Sequence, residues 1–205
     1  YKLQVTQEKV TIEAPDITGV RYGIQTFRQL LPVTILGTSL VHDHSLRIPC
    51  VEIEDCPRFP WRGFMLDVSR TFYSMDVLKK YIDAMALYKL NVFHLHLTDD
   101  AGWRVEIKKY PKLTSVGSQF AEKYHEPPCR SGFYTQKELK QLVAYAKERN
   151  ITIVPEIDMP GHFWAALVAY PEFSLSGNPQ PAEVMPHFDL IRTFGGLGTD
   201  TLDPT

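Results

Sequence analysis

The chain has 205 residues, 44% apolar and 22% charged, which is enough apolar side chain for the core of one large domain, or of a small one joined to part of another. Its 22 basic and 24 acidic side chains nearly cancel, which argues against a polyanion such as nucleic acid as partner. No apolar run approaches the roughly 20 residues that cross a bilayer.

The chain begins at Tyr1 with neither an initiator methionine nor a signal-peptide pattern, so it is expected to be a fragment or a processed product. Residues 1 to 14 read as two short alternating strands around Gln7-Glu8-Lys9, Leu3 and Val5 answering Val10 and Ile12. Gly19 and Gly23 lead into an amphipathic helix with Ile24, Phe27, Leu30 and Leu31 on one side, stopped by Pro32. A strand pattern follows over Ile48 to Ile53. Asp55-Cys56-Pro57-Arg58-Phe59-Pro60 then reads as a junction after a small α+β unit. Cys50, Cys56 and Cys129 form an odd set without metal-ligand spacing, so they give neither a disulfide framework nor a zinc site. One bridge with a free thiol and three unpaired thiols both fit.

From Gly63 the rhythm changes. Phe64 to Val68 is a short apolar strand interrupted by Asp67, and Asp76 to Leu90 is a helix with Leu78, Ile82 and Met85 on one stripe. Val92 to Leu97 alternates strictly, Phe93, Leu95 and Leu97 against His94, His96 and Thr98, and runs into Asp99-Asp100-Ala101-Gly102-Trp103-Arg104. Thr135 and Glu138 form a capping box before a helix with Leu139, Leu142, Val143 and Ala146 on one stripe. Asn150 ends it, and Ile151 to Ile157 is a third strand. This alternation implies parallel strands with right-handed crossovers, in either an open doubly wound sheet or the opening third of an eight-stranded (β/α) barrel. Val68-Ser69-Arg70-Thr71-Phe72 is no glycine-rich phosphate loop, and each strand ends in polar residues. Both features favour the barrel, where strand ends converge on one pocket.

Those ends carry the candidate chemistry. Asp99 and Asp100 could act with Glu156 and Asp158 as acid and base, or one could cap a turn while the other pairs with Arg104. His94-x-His96 could hold a metal only with ligands from later strands. Hydrogen-bonded packing is the simpler reading, and no metal or cofactor is assigned. Pro160-Gly161 bends the chain so that His162 sits over the pocket. Arg70 could grip vicinal hydroxyls or a carboxylate, or form a salt bridge with Asp67 or Asp76. Trp61, Trp103 and Trp164 could stack on sugar faces or pack in the core.

The motifs Pro57-Arg58-Phe59, Arg62-Gly63, Leu66-Asp67-x-Ser69-Arg70, Leu90-Asn91-Val92-Phe93-His94-Leu95-His96-Leu97-x-Asp99-Asp100, Gly102-Trp103-Arg104 and Pro155-Glu156-Ile157-Asp158-Met159-Pro160-Gly161-His162 resemble glycoside hydrolase family twenty, the β-N-acetylhexosaminidases. The resemblance spans residues 57 to 162. It implies an α/β fold: the first three β/α units of a (β/α)8 TIM barrel over residues 49–205, preceded over residues 1–48 by the end of a small α+β domain. It further implies a retaining exo-hydrolase acting on terminal β-linked N-acetylglucosamine or N-acetylgalactosamine. There the substrate's own 2-acetamido oxygen attacks the anomeric carbon and forms an oxazolinium intermediate. Glycans or chitin oligosaccharides would be its partners, and most family members work outside the cytoplasm or in lysosomes.

Carried over residue by residue, Asp99 and His162 correspond to the pair that orients a histidine toward the catalytic acid. Arg70 corresponds to the arginine that binds the terminal sugar's hydroxyls, and Glu156 and Asp158 are assigned to the substrate with it. The family's acidic pair after Gly-Gly has no match, since Gly195-Gly196 precedes Leu197-Gly198, and Thr71 stands where histidine usually follows the arginine. The expectation is therefore the supporting half of a site. The alternatives are a catalytically silent sugar-binding or scaffold protein of the same fold, and a metal-dependent hydrolase built on His94 and His96.

Overall fold

The computed structural model describes residues 1–37, 47–124, 131–178, 183–194 and 201–203. β1 (Lys2–Val5) and β2 (Val10–Glu13) pair antiparallel in the register the alternation implies, Leu3 opposite Ile12 and Val5 opposite Val10. β3 (Val51–Glu54) pairs with the other edge of β1, Leu3 opposite Ile53. The strand expected over 48–53 thus starts later and belongs to this first sheet, which continues past residue 48.

α1 (Ile17–Leu30) begins well before Ile24 because Asp16 caps it, Oδ1 accepting from the Gly19 amide at 2.8 Å. The glycines read as its lead-in lie inside it. At Gly23 the reason is proximity: a Cβ there would sit 2.5 Å from Ile12 Cγ2 and 3.1 Å from the Tyr1 ring. The buried face centres on Tyr22 and Gly23, while Ile24, expected inside, is 41% exposed. Leu31 is extended ahead of Pro32, which ends the helix as expected. Gly23→Val is expected to lower stability by about 1–3 kcal/mol through overpacking. Urea denaturation reads this directly, and an unchanged midpoint would show that α1 is not held against β2 by close contact.

The second unit runs β4 (Gly63–Asp67), α2 (Met75–Leu87), β5 (Val92–His96), the hairpin strands β6 (Thr98–Asp99) and β7 (Gly102–Trp103), α3 (Lys112–Ser115), α4 (Gln136–Lys147), β8 (Thr152–Glu156), α5 (Trp164–Ala169) and α6 (His187–Phe194). β4, β5 and β8 form a parallel sheet in that order, with Asp67, His96 and Glu156 level and Met65, His94 and Val154 one layer earlier. On the other face Phe93 and Leu95 are buried in one core with Leu78, Ile82 and Met85 of α2 and Leu142 and Ala146 of α4. Both helical stripes are thus the expected ones, except that Val143 is 51% exposed. The capping box closes in both directions, Glu138 N donating to Thr135 Oγ1 at 3.2 Å and Thr135 N to Glu138 Oε2 at 2.8 Å.

α2 stops at Leu87, short of the expected Leu90. Lys89 takes φ 59° and Leu90 N donates to Met85 O at 2.9 Å. Asn150 repeats the closure after α4, with φ 59° and Ile151 N donating to Ala146 O at 3.0 Å. Asparagine tolerates that left-handed region and announces the stop, whereas lysine does not. Lys89 is tethered from outside, its Nζ donating to Tyr1 Oη at 2.9 Å and Asp55 Oδ2 at 3.1 Å. Arg62 ties the two units further, Nη2 donating to Tyr22 Oη at 2.6 Å and Nε to Lys89 O at 2.7 Å. Cys50 and Cys56 are free and exposed, and Cys129 lies outside the described residues.

Candidate active site

The C-terminal ends of β4, β5 and β8 bring together most of the residues singled out in the sequence. The loop after β4 is shaped by Asp67, whose Oδ1 accepts from the Ser69 amide at 2.9 Å and the Arg70 amide at 3.0 Å. That turn aims the Arg70 guanidinium back at two carboxylates, Asp67 Oδ2 at 2.5 Å and Asp99 Oδ2 at 2.7 Å. Burial alone would push Arg70 down. The Asp67 hydrogen bond and the charge of Asp99 outweigh it and hold the group above its ordinary value. Of the alternatives posed for Arg70, the salt bridge to Asp67 forms, and the same guanidinium also meets Asp99.

Asp99 is the centre of the cluster, and its side chain is 2% exposed. Oδ2 meets His96 Nε2 at 3.0 Å as well as Arg70, and Oδ1 accepts from the Asp100 amide at 2.6 Å. Burial pushes its carboxyl up, yet the His96 hydrogen bond, the Asp100 amide and the Arg70 charge leave it below the usual carboxylate range. Glu156 Oε2 lies 2.8 Å from His96 Nδ1 and 2.6 Å from His94 Nε2, so each histidine has a carboxylate partner. Asp158 sits beside them, its amide donating to Thr98 Oγ1 at 3.0 Å.

Asp100 does something different from its neighbour. Its Oδ1 accepts from the Trp164 amide at 3.0 Å, at the start of α5. His162 hangs over the pair with φ 54°, a left-handed conformation that costs a non-glycine residue about 1–3 kcal/mol. Its Nδ1 stands 3.4 Å from Asp99 Oδ1 and 3.8 Å from Asp100 Oδ2, ion-pair range without hydrogen-bond alignment.

Arg104 pairs with neither aspartate. Fully buried, it donates to the carbonyls of Ser69 at 2.8 Å, Ser118 at 2.9 Å, Gly132 at 3.1 Å and Ala101 at 3.4 Å, and lies between the rings of Phe72 and Phe120. Burial pushes it down to about 10, still protonated at neutral pH. The guanidinium passes so close over Gly102 that a Cβ there would be 2.4 Å from Cζ. Ser69 Oγ adds a bond to Gly102 O at 2.6 Å. The loop carrying Arg70 is thereby fastened to the hairpin carrying Asp99. This staple went unread in the sequence beyond the pairing guess, because nothing local to Gly-Trp-Arg says which carbonyls will surround it.

None of the three tryptophans offers a ring to a sugar here. Trp103 and Trp164 are core, Nε1 donating to Val105 O at 2.7 Å and to Glu183 O at 3.3 Å. Trp61 is 65% exposed but lies against Gly63, at the opposite end of β4 from the cluster. Two sets, His96 with Glu156 and Asp158, and Asp99 with Asp100 and His162, have ligand atoms within 4.8 Å of one another. In the first, a metal would have to break one of the two carboxylate bonds of His96. What the cluster can do as it stands is hold a histidine and an arginine in fixed orientation around one ionised carboxylate.

Comparison with known proteins agrees along the whole chain. Residues 59–192 match the profile of the glycosyl hydrolase family 20 catalytic domain, and residues 1–56 that of the same family's domain 2. A beta-hexosaminidase from Porphyromonas gingivalis is 48% identical over 174 residues, covering 85% of this chain and 22% of that protein. An N,N'-diacetylchitobiase from Vibrio harveyi is 36% identical over 183 residues, covering 82% of this chain and 20% of that one. The structure of the family 20 beta-N-acetylhexosaminidase from Streptomyces coelicolor A3(2) superposes with a TM-score of 0.84 at 39% identity, over 99% of this chain and 38% of that chain. The chain thus spans about a fifth to two fifths of the length of these relatives.

Proposed function

Given that the chain belongs to glycosyl hydrolase family 20, we propose that it is the front part of a β-N-acetylhexosaminidase, an exo-hydrolase of terminal β-linked N-acetylhexosamine that uses substrate-assisted catalysis. Residues up to the Asp55–Pro60 junction are then the end of the small domain, and those after it are the first three β/α units of a (β/α)8 barrel. The single observation that carries the reading is Asp99, one buried carboxylate facing both an arginine and a histidine at the strand ends.

In this reading the pocket works by position. Arg70 keeps one Nη1 donor on Asp67 and one Nη2 donor on Asp99, and the plane this sets leaves the remaining Nη hydrogens for the hydroxyls of the terminal sugar. Asp158 lies beside the same cluster, as does Glu156 with Oε2 held by two imidazoles. With substrate bound, His162 Nδ1, here 3.4 Å from Asp99 Oδ1, closes onto that oxygen as donor, which turns Nε2 outward to hold the acid that protonates the leaving oxygen. That acid, and the carboxylate that orients the 2-acetamido group, are assigned to no residue of this chain. Gly195-Gly196 and Leu197-Gly198, where the motif was sought, lie outside the described residues.

Amino-sugar glycans or chitin oligosaccharides are the substrate class, in line with the chitobiase relative, and the site of action is outside the cytoplasm or lysosomal. The coding sequence read past Thr205, expressed and assayed on an aryl N-acetyl-β-glucosaminide, tests this. Hydrolysis that Arg70→Ala weakens mainly through KM is the expected result. A longer product that binds N-acetylglucosamine without cleaving its glycosides would replace it with the silent sugar-binding reading.

A further inference from the structure

We infer that His96 is a positioning residue for the Asp99–His162 pair, held from behind by Glu156 so that Asp99 keeps one oxygen for Arg70 and the other for His162. The inference rests on the assignment of Asp99 and His162 as the supporting pair. It gives Glu156 a role that does not need the substrate.

The geometry leaves the ring little choice. His96 is on the middle strand, its side chain 8% exposed, and each nitrogen ends on a carboxylate oxygen, Nε2 on Asp99 at 3.0 Å and Nδ1 on Glu156 at 2.8 Å. A neutral imidazole has one donor and one acceptor, so it could satisfy only one of these, and its lone pair would face the other anion. The doubly protonated ring satisfies both. In that state it is a fixed cation wedged between two fixed anions. Aspartate χ2 is broad and two-fold, so a carboxylate held on one side alone swings easily. Here Oδ2 is pinned by His96 and Arg70 together, and Oδ1 is left with the Asp100 amide and His162.

The surroundings favour the charged ring from every side. Asp67 lies level with it on β4 and Glu156 on β8, Asp99 on β6 makes the largest contribution, and Asp158 follows β8. His94, two residues earlier on the same face, meets the same Glu156 oxygen at 2.6 Å and holds it in place. The Arg70 guanidinium and the His162 ring stand beyond Asp99, with Asp100 close to His162. The Asp99 bond, opposed by burial and aided by Glu156, raises His96 to about 9.

The test has two arms. In the 205-residue chain, imidazole nitrogen NMR is expected to show both His96 nitrogens protonated at pH 7.5 and titration near 9. The isosteric variant Glu156→Gln should lower that titration by at least one pH unit. In the longer hydrolase, the alkaline limb of kcat/KM should move down by the same amount in Glu156→Gln. A purely structural role would lower activity at all pH values and leave the limb in place. Titration of His96 near 6.5 in the unmodified chain, or an unmoved limb, overturns the inference. If the longer product hydrolyses no N-acetylhexosaminide, the proposed function fails instead, and the NMR arm still decides the state of His96. Should Glu156→Gln not fold, the unmodified chain's own titration gives the answer.

Discussion

Arg104→Ala should be the most destabilising single substitution in the second unit, by about 3–5 kcal/mol, the range seen when one partner of a buried charged network is removed. The side chain is fully buried and feeds carbonyls of four separate segments, at Ser69, Ala101, Ser118 and Gly132. Each buried carbonyl left without a donor costs about 1–3 kcal/mol, and the void between Phe72 and Phe120 adds to it. Arg104→Lys should recover only a minor part, because a single ammonium cannot span carbonyls that a planar fork reaches on several edges. Chemical denaturation measures both. A loss under 1 kcal/mol for the alanine variant would mean that the loops hold themselves. Since Ser69 precedes Arg70, the same variant should also weaken sugar binding in the longer hydrolase.

In the longer product proposed above, Asp99→Ala is expected to be the largest loss of function, about a thousandfold in kcat/KM, the scale of removing a group that orients a catalytic base or acid. It also strips a 2%-exposed carboxylate from between Arg70 and His96, leaving two cations facing each other without their counter-ion. Asp99→Asn keeps the shape and loses the charge, so it separates the two effects. The pH dependence of stability is the clearest readout. The Asp99 carboxyl is lowered in the fold, so its contribution is present above the unfolded value near 4 and is lost as pH falls through the folded value. His96 is raised to about 9, so its contribution, at most about 3 kcal/mol, is complete below 6.5 and disappears as pH rises through about 9. The parent chain should therefore be most stable between about pH 4 and 6.5. In Asp99→Asn both limbs should flatten. Melting temperatures that fall in parallel for parent and variant below about pH 4 and above about pH 6.5 would show that this cluster does not set the profile.

How much of this was legible beforehand differs from residue to residue. The alternation of residues 92–97, the stripes of α2 and α4, the Thr135–Glu138 box and the stop at Asn150 were all readable, because each depends on side chains a few positions apart and on intrinsic backbone preferences. Where readings missed, a distant segment had intervened. α1 swallowed its glycines because β2 needed one of them bare, and α2 closed early on a lysine tethered to Tyr1 and Asp55.

The same division runs through the site. The sequence by itself determined the residue types, their placement at strand ends and the family, since spacing along the chain is enough for all three. Only the tertiary structure decided which partner each side chain took: Arg70 both carboxylates, Asp100 the α5 amide 64 residues on, His96 two acids at once and Arg104 carbonyls instead of an acid. Those choices follow from burial. Once water is excluded every charge and carbonyl must find a partner among whatever the fold brings near, and that neighbourhood is written across loops far apart in sequence.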